Sequence, residues 1–159
     1  MAATKDELRS EQQALAQLES IREMVERLEH AEKCKGDRED CEITRELPDD
    51  SVDLSAFDLH HDNEDARQAI EEDALSVEVR SDWYTPGASD EKRKPGEYYI
   101  LLSTGGPASR IIGELDGYCQ PTSARLQHQD WFTPWQEVIV DHADLGILLR
   151  YASVFYFGD

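Results

Sequence analysis

The sequence predicts an α+β fold: a three- to four-stranded antiparallel meander with a long N-terminal helix, a short acidic helix and a C-terminal helix packed on one face. Three observations predict it. Apolar residues recur at helical spacing from Ala14 to Leu28 and again from Leu145 to Tyr156. Between these stretches the period drops to the two-residue alternation of half-buried strands, interrupted by Gly- and Pro-containing turns. The charge also divides the chain, because residues 1–36 carry −2, residues 37–73 carry −12 and residues 74–159 carry −5 of a formal net charge of −19. At 159 residues the chain is long enough for one globular domain with a real core. Within that domain the zones are an N-terminal amphipathic helix (1–36), an acidic segment with a short helix (37–73), and an antiparallel sheet plus C-terminal helix (74–159).

The first helix opens on Thr4 and Glu7, which have the spacing of a capping box. Ala14, Leu18, Ile21, Val25 and Leu28 then fall on one stripe, with Leu8 and Leu15 widening it. Gly36 is the expected stop. Two heptads leave two uses of the stripe open: packing onto its own domain, or a homodimer through residues 14–28. The acidic segment holds fifteen carboxylates against three arginines and few large apolar residues. Pro48 breaks it, and Asp62 or Asn63 caps a short helix to about Glu72, with Ala66, Ala69 and Ile70 inward. The remainder reads as loop with one or two short helical turns.

Leu75, Val77 and Val79 alternate with polar residues as a strand reaching Trp83, followed by the polar loop TPGASDEKRKPGE. YYILL at 98–102 is apolar on both faces, as a central strand would be, and Gly105-Gly106 turns it back into SRIIGEL. A turn at DGYCQPT precedes SARLQHQ, where Ala124, Leu126 and His128 share a face. Asp141 caps the last helix, in which Leu145, Leu148, Leu149, Ala152, Phe155 and Tyr156 repeat, and Gly158 is its expected stop.

Composition narrows function. A charge of −19 disfavours direct binding to nucleic acid or anionic lipid, since phosphate affinity comes from Lys and Arg displacing counterions. Basic protein surfaces and cations are the expected partners. No run of about 18 apolar residues exists to span a membrane, and the N-terminal stretch lacks the apolar core of a secretory signal. These features predict a cytoplasmic protein with Cys34, Cys41 and Cys119 reduced. No HExxH, GxSxG or CxxC is present, and nothing marks Cys119 and His128 as a catalytic pair, so no enzymatic activity is predicted. TGGPASR lacks the Gly-Lys-Ser/Thr of a phosphate loop and reads as a hairpin. Trp131, Phe132 and Trp135 around Pro134 are expected to close the sheet end against the last helix, ahead of contacting a partner.

His30, Cys34 and Cys41 supply a thiolate–imidazole set of the kind that holds zinc. The Cys-x6-Cys spacing is not that of a zinc knuckle and no second cysteine pair exists, so neither metal nor other cofactor is expected. His60 and His61 with Asp62, Glu64 and Asp65 lack the obligatory Gly of an EF-hand. The acidic zone has two readings. In one, Asp49, Asp50, Asp53, Asp58, Asp62, Glu64, Asp65, Glu71, Glu72 and Asp73 form an array that imitates duplex phosphates and binds a partner. In the other, the zone is a solvated face on a metal-stabilised structural or interaction module whose acidity serves only solubility.

The segments STGGPASRIIGELD (103–116) and QDWFTPWQE (129–137) resemble those of a widespread family of small acidic proteins from phages, prophages and other mobile elements. The resemblance covers about residues 75–157. It implies that the strand-rich half is a family core and that the acidic zone does this member's own work. It further implies an inhibitor of anti-CRISPR or anti-restriction type, whose partner is a host nucleic-acid-binding defence protein with a basic surface. It transfers no catalytic residue.

Overall fold

In the computed structural model, which describes residues 5–34, Cys41, 62–90 and 93–158, the first stripe forms helix α1 (Lys5–Lys33). Helix α2 (Asn63–Asp73) follows. Five strands come next: β1 (Ser76–Ser81), β2 (Pro95–Ser103), β3 (Pro107–Glu114), β4 (Arg125–Asp130) and β5 (Gln136–Glu137). Helix α3 (His142–Ala152) completes the fold. The strands lie in sequence order in one sheet, and every neighbouring pair is antiparallel. The architecture is therefore the predicted α+β meander with one strand more than expected. The extra strand, β5, pairs only Gln136 and Glu137 with His128 and Gln127, too short a stretch for any alternation of apolar residues to register.

The alternation along the strands sorts the sheet into two faces. In β2, Tyr98, Ile100 and Leu102 are buried while Glu97, Tyr99 and Leu101 are half-buried on the other side. Ile111 of β3 and Leu126 of β4 join the buried face, and α1 lies against these two strands and against α2 and α3. Ala14, Ile21, Val25 and Leu28 have no exposed surface, and Leu18 has almost none. The stripe is thus packed within the chain, the first of its two expected uses, and the residues expected to form a homodimer seam through 14–28 are buried against its own domain. Leu8 and Leu15, expected to widen the stripe, are instead exposed.

The stripe extends one turn further toward the N-terminus through a polar residue. Ser10 is buried, and its hydroxyl meets His128 Nδ1 at 2.7 Å across the interface with β4. Removing that hydroxyl strips a partner from a buried imidazole nitrogen, which costs about 1–3 kcal/mol. Ser10→Ala is accordingly expected to lower the urea midpoint with an unchanged slope. An unshifted midpoint would show that water replaces the hydroxyl.

Two turns explain themselves locally. At DGYCQPT, the Asp116 carboxylate accepts the amides of Tyr118 and Gln120 at 2.8 and 3.0 Å, which holds Cys119 at a positive φ of 58°. Between β4 and β5, Asp130 N–H donates to Thr133 Oγ1 at 3.1 Å, and Gln129 Nε2 donates to the Thr133 carbonyl at 2.6 Å. Polar groups clamp this second turn, so its rings are not needed to close it. Trp131 is 65% exposed and Phe132 fully exposed, contrary to the expectation that they pack against α3.

The C-terminal helix also ends earlier than its periodicity suggests. Ser153 caps it after Ala152, and the chain then turns so that Val154 and Phe157 enter the core, Phe157 stacking 4.9 Å from Tyr98. Tyr156 points to solvent, and Gly158 sits against Pro95, outside any helix. The expected cap at Thr4, the stop at Gly36 and the break at Pro48 lie outside the described residues.

Candidate functional site

Helix α2 carries acids at both ends, with Ala66, Ala69 and Ile70 between them. Asp62 caps it in the predicted way, accepting the Asp65 amide at 3.0 Å, and Glu64 and Asp65 in the first turn favour the positive end of the helix dipole. Ala66 and Ile70 are buried, and the helix packs on α1. The last turn runs the other way. Glu71, Glu72 and Asp73 crowd the negative end of the dipole with no basic residue among them.

The predicted partner-binding carboxylates divide into three groups. Asp49, Asp50, Asp53 and Asp58 lie outside the described residues. Asp62, Asp65 and Asp73 have structural engagements: Asp62 caps α2, Asp65 forms an ion pair with Arg27 of α1, and Asp73 accepts the Tyr151 hydroxyl at 2.7 Å. Burial, reinforced by that bond to Asp73, raises the Tyr151 phenol far above its ordinary value, so it donates at any accessible pH. Glu64, Glu71 and Glu72 are exposed. Their spacing of seven and eight residues places them in one outward row, opposite Ala66 and Ile70, with Gln68 bridging to Glu72 at 2.7 Å. Helix α1 carries a similar outward row in Glu19, Glu23 and Glu26, of which Glu19 is paired with Arg22.

A different chemistry gathers at the end of α1. His30 and Cys34 are one helical turn apart, joined by the Cys34 N–H to His30 C=O bond at 2.8 Å. Cys41 is fully buried and brings its Sγ to 3.2 Å from His30 Nε2. One donor atom from each of His30, Cys34 and Cys41 lies within 4.8 Å of the others. The Cys-x6-Cys spacing, unlike that of a zinc knuckle, argues against such a set, yet the fold brings the three donors together.

The open face of the sheet has a feature the sequence did not signal. Arg110 is stacked on Trp135, with its guanidinium carbon 4.0 Å from the ring centre, and flanked by Tyr99 at 5.3 Å. Its Nε donates to Gln127 Oε1 at 2.9 Å. Burial pushes this guanidinium below its ordinary value, and neighbouring Arg125 pushes in the same direction. At the far end of the sheet, an open cleft of about 1000 Å³ lies between the β1–β2 loop and the strand ends, lined by Arg80, Asp82, Trp83, Tyr84, Glu97 and Glu114 among others. Arg80 is paired with Glu97, which offsets the placement of Glu97 directly opposite Glu114.

Cys119 and His128 do not meet as a catalytic pair. His128 is buried against Ser10 from α1, and Cys119 is buried in its own turn. Among the described residues, no helix is long and apolar enough to cross a membrane. Comparison with protein-family models, with curated proteins and with solved structures finds no match for this chain.

Proposed function

We propose that this protein is a non-enzymatic inhibitor of phage or mobile-element type, which docks its acidic helical face on the positively charged nucleic-acid-binding site of a host defence protein. It binds neither nucleic acid nor membrane directly. The observation that carries this reading is the exposed row Glu64, Glu71 and Glu72 on α2. Acidity for solubility alone could be placed anywhere on the surface. Glu71 and Glu72 instead occupy the end of a helix where carboxylates are disfavoured by about 0.3–1 kcal/mol each. A basic partner surface converts that local penalty into interaction energy, because the same potential that repels the helix carbonyls attracts Lys and Arg. The ion pair Arg27–Asp65 and the bond from Tyr151 to Asp73 hold the helix still while its outer row stays exposed to solvent.

The engaged carboxylates are poor probes, since changing Asp65 or Asp73 would loosen α2 itself. Glu64→Gln, Glu71→Gln and Glu72→Gln together remove three exposed charges and keep the Gln68 contact possible. The charge-matched control is Glu78→Gln, Glu114→Gln and Glu137→Gln, all exposed and all on the strands. Capture from host lysate at low and moderate salt is expected to return a basic nucleic-acid-binding protein whose retention falls as salt screens the contact. The helix triple should weaken that complex more than about tenfold and the strand triple much less, and DNA or RNA should compete. Equal effects from both triples, or simultaneous binding of nucleic acid, would reduce the acidic face to a solvated surface.

A further inference from the structure

The geometry points to a binding site for a soft divalent cation of the zinc class at His30, Cys34 and Cys41. Two sulfurs and an imidazole nitrogen are the donor types that such an ion takes, and carboxylate-seeking cations such as magnesium or calcium do not. The placement fits as well. Zn–S bonds near 2.3 Å and Zn–N bonds near 2.0–2.1 Å give tetrahedral S–N and S–S edges of roughly 3.6 and 3.8 Å. The observed Cys41 Sγ to His30 Nε2 separation is 3.2 Å, and all three donors lie within 4.8 Å of one another. An ion enters this set with shifts of a few tenths of an ångström to about one.

The local structure presents these donors together for simple reasons. His30 and Cys34 sit at positions i and i+4, so the final turn of α1 stacks their side chains on one face. Cys41 then returns to that face and is fully buried there. Binding costs two thiol protons, released as the sulfurs become thiolates, while His30 coordinates as the neutral imidazole. Among the described residues the set fills three corners of a tetrahedron, leaving the fourth to water or another donor.

The site has a structural role beyond its own ligands. Cys41 meets His30 near the end of α1, and Asp65 meets Arg27 less than one turn earlier. An ion at the first point would therefore fasten the start of the acidic segment to the same end of α1 that Arg27 fastens α2 to.

The test uses the full chain, reduced and stripped with a chelator. Zinc added to it is expected to bind at one equivalent per chain and raise the melting temperature. Cobalt(II) in its place should give the sulfur-to-metal charge-transfer absorption and strong visible bands of a tetrahedral thiolate site. Cys34→Ser, Cys41→Ser and His30→Ala should each weaken zinc binding more than about a hundredfold, beyond what loss of a supporting residue causes. Cys119→Ser, which removes a buried thiol elsewhere, should leave it unchanged. Weak, octahedral cobalt spectra from the wild-type chain would overturn the proposal even if a variant failed to fold. So would a Cys34–Cys41 disulfide in protein alkylated at the moment of lysis, or full zinc affinity in the two serine variants.

Discussion

Ile21→Ala is expected to destabilise the fold by about 2–5 kcal/mol, the range for truncating a large aliphatic side chain in a rigid core. Ile21 sits at the middle of the α1 stripe, has no exposed surface, and belongs to the helix that touches β3, β4, α2 and α3 together. A cavity there loosens contacts to several elements at once, and none of them can relax into it without moving the others. For a chain of this length each kcal/mol corresponds to roughly 2–4 °C in melting temperature, so the loss is easily read by a thermal melt. The melt should not depend on protein concentration, because the stripe is buried within one chain. A loss below about 1 kcal/mol, or a melting temperature that rises with concentration, would place Ile21 at a surface between chains instead.

Gly113→Ala should be at least as damaging, for the opposite reason. Gly113 lies in β3 directly opposite Tyr98 of β2. A methyl group at this position would stand 2.6 Å from Tyr98 Cε1 and 2.7 Å from its hydroxyl oxygen, and would press on the Ser123 carbonyl. Those are the two groups joined by the Tyr98 hydroxyl bond to Ser123 O at 2.7 Å. Burial raises the Tyr98 phenol well above its ordinary value, so it stays protonated as the donor of that bond. The substitution must displace backbone and break a buried hydrogen bond, for about 3–5 kcal/mol when the overpacking and the orphaned polar group are combined. Gly117→Ala is the comparator. No atom lies within 4 Å of a methyl placed there, and its effect should stay within about 0.5 kcal/mol. Equal, small effects at the two glycines would mean that the β3–β4 connection shifts freely.

What the sequence disclosed and what it hid follow one physical division. Periodicity reports burial of apolar side chains, so α1, α2, β1 to β4 and the start of α3 were legible from residues such as Ile21, Ile70, Ile100 and Leu148. Periodicity does not report contacts made by polar groups. Ser10 extends the α1 stripe, yet it reads as a surface residue until His128 is placed opposite it. Trp131 and Phe132 look like core because they are large, but their turn is held by Asp130 and Thr133, which frees the rings to face solvent. The acidic helix was visible as composition, whereas its sorting into engaged Asp65 and Asp73 and exposed Glu64, Glu71 and Glu72 depends on Arg27 and Tyr151 arriving from distant segments. Arg110 was invisible for the same reason, since Tyr99 and Trp135 reach it only through the register of the sheet.

The docking of α1 onto β3 and β4 sets an order of events on the ribosome. Helix α1 is made first, but the strands β3 and β4 that receive its stripe are complete only after Asp130 has been added. At ~5–20 residues per second the stretch from Lys33 to Asp130 takes roughly 5–20 s to synthesise. Throughout that interval a nascent amphipathic segment waits with Ile21, Val25 and Leu28 uncovered, among other nascent chains that display similar surfaces. Glu19, Glu23 and Glu26 do not need the finished fold to be charged. They would act as gatekeepers for the waiting segment, repelling its neighbours until the meander arrives to cover the stripe.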